Sequence, residues 1–220
     1  MDRKWVDAQL SGLEPKLALT ALASSNVFEP DAGFYRLLES GLDDELSAAS
    51  AGVASHLKLQ PAPSVAYEWG IKMRPEHAGT ITLRATTPGV VVIPMAYVGR
   101  PWALGAILAH ELTHQFMFFA GLRLPDPVDD EPLTDLVSIA VGLGKLVLNG
   151  AIVEKGLGTY EATMLGYMPA ELKAYAYVEV CRMRSVEPSV VRESLNESAL
   201  GLLAQVDRTE SGLKYPPATT

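Results

Sequence analysis

The sequence predicts an α+β protein, mostly helical, with a small mixed or antiparallel β-sheet placed ahead of one long apolar helix. Three observations carry that prediction. Apolar residues recur at helical spacing over roughly residues 1–60 and again over 170–206. Three runs rich in Val, Ile, Thr and Tyr lie between residues 64 and 98, punctuated by His-Ala-Gly and Pro-Gly. After them, ALGAILAHELTHQFMFFAGL reads as a helix with Pro101 in its first turn and Gly121 just past its end.

In chain order, the helical N-terminal part comprises LALTALASS, FYRLLESGL and ELSAASAGVASHLKL, with breaks near residues 26–31 and at Gln60-Pro61-Ala62-Pro63. The strand-like runs are SVAYEWGIKM, TITLRATT and GVVVIPMAYV. Either Gly89–Tyr97 or Thr80–Thr87 is expected at a sheet edge, where an extended peptide can pair through main-chain hydrogen bonds. An ordinary central strand is the competing assignment for each. A second helix is expected from Pro132, with Asp130 or Glu131 near its cap, and it leads into the apolar stretch Leu136–Val153. That stretch has 18 residues but contains Lys145, Asn149 and three glycines, so it reads as a buried helix rather than a membrane span. Residues 151–206 read as a helical C-terminal part and 207–220 as a polar, flexible tail. The whole chain, 1–220, reads as one domain, organised as 1–60, 61–150 and 151–206 plus the tail.

Composition narrows the partners. A net charge of −8 and a pI near 5.0 disfavour nucleic acid and anionic membranes. The lone cysteine, Cys181, allows no intramolecular disulfide, and MDRKWVDAQLSGLEP has no apolar core of signal-peptide type; both point to a cytoplasmic protein. Oligomeric state is left open.

The chemistry lies in His110-Glu111-Leu112-Thr113-His114. Residues i and i+4 share a helix face with Cβ atoms about 5–6 Å apart, so two imidazoles there can bind one Zn²⁺ from the same side. The intervening Glu111 then lies beside the water that the metal activates, where a general base is needed. With four His and 16 Glu in 220 residues, this pattern is expected by chance only about 0.005 times. A catalytic zinc usually takes a third protein ligand. Glu131 and Asp135 again stand at i, i+4, so Glu131 can face the metal while Asp135 accepts the free N–H of a ligand histidine. Asp126, Asp129 and Asp130 are rival ligands.

HELTH followed by E-x-x-x-D resembles the gluzincin (thermolysin-like) zinc metallopeptidases over roughly residues 101–150. The resemblance implies a zincin-like fold, zinc on His110, His114 and Glu131, Glu111 as general base and Asp135 as support for the first ligand histidine. It implies hydrolysis of a peptide or protein substrate. The separation between His114 and Glu131 is short for that family. Its oxyanion stabiliser is often a downstream Tyr or His, and no His follows His114. Tyr160, Tyr167, Tyr175 and Tyr177 are the candidates, Tyr167 in LGYMPAE being preferred. The alternative expectation is a non-catalytic zinc domain with a regulatory or interaction role. A third is a deformylase-type amidase, although such enzymes carry a cysteine ahead of the metal helix and Cys181 lies after it. His56 and His77 read as ordinary histidines without a ligand role.

Overall fold

The architecture is organised around the expected apolar helix. The computed structural model describes residues 1–19, 27–68, 79–83, 89–122, 127–154 and 162–209, and the account below concerns those residues. The helical N-terminal part forms α1 (Arg3–Leu19), α2 (Ala32–Glu39) and α3 (Asp43–His56). Asp31 caps α2 by accepting the Phe34 N–H at 2.7 Å, and α2 buries Phe34 and Leu38. The sheet follows as β1 (Ser64–Glu68), β2 (Thr80–Thr82) and β3 (Val90–Pro94). A single 3-10 turn (Met95–Tyr97) joins it to α4 (Pro101–Ala120).

The sheet is mixed, in the order β1-β3-β2. β1 runs parallel to β3, with Val65 opposite Val91, and β2 runs antiparallel to it, with Ile81 opposite Val91. Val91 and Ile93 alternate inward towards the core, as strand periodicity requires. β3 is therefore central, which corrects the assignment of Gly89–Tyr97 as an edge. Within the described residues the edge beside the metal helix is Thr80–Thr82; residues 84–87 of the other expected run lie outside them.

α4 has the limits that its ends predict: Pro101 at the first position and Gly121 in the left-handed conformation at φ 65°. It packs against α2 and α3, against the sheet, and against α5 (Pro127–Ser138) and α6 (Gly144–Asn149). α5 starts a turn earlier than expected. Pro127 opens it and Pro132 falls inside, so Glu131 projects from the body of the helix and not from its cap. The stretch after Leu136 is buried, as expected, but it is not one helix. Residues Ile139–Leu143 form a π-helical segment with Gly142 at φ 100°, and α6 restarts beyond it. No helix among the described residues is long and apolar enough to cross a membrane.

The C-terminal part is less uniformly helical than its periodicity suggests. β4 (Ile152–Glu154) and β5 (Ala162–Met164) pair antiparallel ahead of α7 (Ala170–Met183). The run SVVRESLNESALGLLAQV, which also has apolar residues at helical spacing, divides between α8 (Pro188–Arg192) and α9 (Glu197–Thr209), with Ser194 at φ 60° in the break. Of the expected tail, residues 207–209 complete α9 and residues 210–220 lie outside the described residues. One core runs through these elements, from Val6 and Leu10 of α1 to Leu203 and Val206 of α9.

Candidate metal centre

Two helices build the centre. α4 presents His110 and His114 one turn apart, and α5 crosses it to present Glu131. His110 Nε2 lies 3.1 Å from His114 Nε2 and 3.0 Å from Glu131 Oε2, and His114 Nε2 lies 3.2 Å from the same oxygen. These three atoms form the one group of His, Cys, Asp or Glu donors among the described residues able to hold a metal ion. The triangle has the right size for a cation: with bonds of about 2.0–2.1 Å, neighbouring tetrahedral ligands lie about 3.3–3.4 Å apart. Two imidazole nitrogens and one carboxylate oxygen, with no thiolate, also match the donor chemistry of a catalytic centre more closely than that of a closed structural one.

The electrostatics favour positive charge at this point. Burial works against charging His110, but hydrogen bonds with Asp135 and Glu131 outweigh it and push the ring up to about 10. Burial likewise opposes ionisation of Glu131, and its hydrogen bonds to both histidines bring it down to about 2. A divalent cation held by these atoms would supply the charge that a proton otherwise brings.

Asp135 lies where the E-x-x-x-D spacing puts it. Its Oδ1 accepts the His110 Nδ1–H at 2.9 Å, which leaves His110 Nε2 for the metal position. Its Oδ2 accepts the backbone N–H groups of Tyr167 and Met168 at 2.7 and 2.8 Å, and Lys173 Nζ stands 3.4 Å away. Burial opposes ionisation here too, yet the Lys173 ammonium and the His110 hydrogen bond hold the carboxyl well below the usual range. The loop reaches Asp135 because residue 166 is glycine. At φ 84°, a Cβ there would come within 2.7 and 2.9 Å of the Asp135 oxygens.

A cleft of about 220 Å³ opens on the centre. His110, Glu111, His114, Glu131, Tyr167 and Lys173 supply its polar wall, and Ile81, Leu83, Ala106, Ile107, Val147 and Leu165 its apolar wall. Glu111 is nearly buried, with the Gly79 backbone close against its side chain. Tyr167 stacks on His110 at a ring separation of 5.6 Å and an interplanar angle of 27°. The other described tyrosine candidates are engaged elsewhere: the Tyr175 hydroxyl donates to Asp7 Oδ1 at 2.8 Å and that of Tyr177 to the Val191 carbonyl at 2.9 Å.

Among the rival ligands, Asp126 and the Asp129 side chain lie outside the described residues, as do Tyr160 and His77. Asp130 is buried and takes no part in the ligand group. His56 takes no part in the ligand group and donates from Nε2 to the Val141 carbonyl at 2.9 Å. Cys181 is buried. Three contributors to the site go unnoticed in the sequence: Thr134, Gly166 and Lys173. Lys173 leaves a signal, a lone cation on the otherwise apolar face of AELKAYAYVEVC. Thr134 and Gly166 leave none without knowledge of what faces them.

Together these features define an α+β protein carrying a two-histidine, one-glutamate site with an acidic neighbour in an open cleft. No protein-family model, curated protein or solved structure matches the chain.

Proposed function

We propose that this chain is a zinc-dependent metallopeptidase of gluzincin type, hydrolysing peptide bonds in its cleft. The observation that carries the reading is the convergence of His110, His114 and Glu131 within 3.2 Å, on a cleft wall shared with Glu111 and Tyr167. A purely structural metal site has no need of a carboxylate beside its ligands or of an open cleft.

His110, His114 and Glu131 would hold the zinc ion, which when bound would activate a water for attack and polarise a carbonyl oxygen. Glu111 accepts the proton of the attacking water and returns it to the nitrogen of the leaving amine. Tyr167 stands on the cleft wall as a hydroxyl donor for the oxygen of the scissile carbonyl. The β2 strand brings Thr80 and Ile81 to the cleft rim, where an extended peptide can add to the sheet edge. The aliphatic wall beyond favours an apolar side chain on that peptide.

Metal content and peptide hydrolysis, measured on the wild-type chain and on Glu111→Gln, test this. The expected result is about one zinc per chain in both, with hydrolysis reduced by about 10²–10⁴-fold or more in the variant. Equal cleavage by the variant rejects Glu111 as the base. Zinc retention by both proteins without any hydrolysis favours the non-catalytic role instead.

A further inference from the structure

A histidine that binds a metal through Nε2 must carry its proton on Nδ1, and that tautomer is set by whatever Nδ1 touches. For His110 the partner is Asp135, as the spacing predicts. For His114 the partner is Thr134: the hydroxyl oxygen lies 3.3 Å from His114 Nδ1. Thr134 Oγ1 has only one proton to give. It lies 2.8 Å from the backbone carbonyl of Asp130, four residues back on the same helix, and 3.4 Å from Met117 Sδ. A carbonyl oxygen can only accept, and it is the nearest and strongest acceptor in reach, so the hydroxyl proton goes there. The lone pairs of Oγ1 are then what His114 Nδ1 meets, and Nδ1 is the donor.

Resting on the reading of the site as a metal centre, we propose that Thr134 is a positioning residue that holds His114 in its Nδ1–H tautomer and so presents Nε2 to a divalent cation. Thr134 is fully buried, so solvent does not substitute for its hydroxyl. The helical spacing of residues 131, 134 and 135 makes α5 the common frame: one face supplies a ligand and steadies both ligands contributed by α4. The arrangement is a chain of donors and acceptors, from His114 Nδ1–H to Thr134 Oγ1–H to the Asp130 carbonyl.

The test uses the full chain as wild type, Thr134→Val and Thr134→Ser, with folding checked by thermal melts in chelator. Zn²⁺ affinity is measured by competition with a chromophoric chelator, and the Co²⁺-substituted proteins are compared by visible absorption. Thr134→Val is expected to bind Zn²⁺ about 10–100-fold more weakly, with an altered Co²⁺ spectrum, and Thr134→Ser to restore both. Affinity in Thr134→Val within twofold of wild type, with an unchanged spectrum, overturns the proposal. Should the valine variant not fold, nitrogen-15 NMR of the metal-free wild-type chain reads the His114 tautomer directly at a pH where the ring is neutral. A proton on Nδ1 is expected there, and one on Nε2 overturns the assignment. A wild-type chain that takes up neither Zn²⁺ nor Co²⁺ overturns the metal-centre reading itself, and this inference with it.

Discussion

Tyr167, the tyrosine preferred on sequence grounds, lies against the candidate metal centre. Its backbone N–H binds Asp135 while its ring stacks on His110, so one residue contacts both the supporting carboxylate and the ligand it supports. Replacing it with Phe keeps the stacking and the backbone bond and removes only the hydroxyl. If the hydroxyl stabilises the developing oxyanion, Tyr167→Phe should lower kcat by about 10²–10³-fold while zinc content stays at the wild-type level. Steady-state kinetics beside metal analysis separate the two effects. Asp135 behaves differently. Asp135→Ala removes the acceptor for His110 and leaves the buried Lys173 ammonium without its carboxylate, so metal affinity should fall about 10–100-fold and the fold should weaken as well. Chelator competition and urea denaturation on the same preparation would register both losses.

At the scale of elements, the decisive feature is the interruption after α5. A single straight helix over residues 127–149 would carry α6 away from α4; the π-helical segment and the positive φ of Gly142 turn the chain back instead. The carbonyls loosened by the kink find partners from the N-terminal part: the Gly142 carbonyl accepts the Phe28 N–H at 2.9 Å, and that of Val141 accepts from His56. Gly142→Ala should therefore cost about 1–2 kcal/mol, because an L side chain resists this conformation. A lower urea midpoint at unchanged m value would express that cost; an unchanged midpoint would mean the kink tolerates a Cβ. Apolar periodicity could not announce this break, since both sides of it are buried. Periodicity likewise gives no sign of the break around Ser194 or of the β4–β5 pair, because each is only a few residues long and lies between helical runs. The sheet was legible as three strands, but its order was not: β3 is central because a parallel partner, β1, is returned to it across 21 intervening residues.

For the whole molecule, His56 links pH to stability. It is half-buried, and desolvation lowers its pKa from the ordinary 6.5 despite its bond to the Val141 carbonyl. The unfolded chain thus binds a proton near pH 6.5 that the folded chain resists. Stability contributed by neutral His56 is complete above pH 6.5 and declines as the pH falls from there towards the lower folded value. His56→Gln should flatten the acid side of the stability curve below about pH 6.5 relative to wild type. Denaturant midpoints across that range, compared between the two proteins, measure the difference. His110 titrates in the opposite sense, because its raised pKa concerns the range above 6.5; the comparison of variant with wild type removes it.

By itself the sequence determined the relations within each of two helices: His110, Glu111 and His114 in one bounded by Pro101 and Gly121, and Glu131 with Asp135 one turn apart in the next. Helical spacing is a local property, so these relations can be read without knowing what faces them. Only the tertiary structure decided that the two helices cross with Glu131 against both histidines, that Asp135 meets His110 and the 166–168 loop, and that Thr134 meets His114. Contacts between residues 17 to 33 positions apart depend on helix crossing and on a kink at Gly142, and neither leaves a period in the sequence.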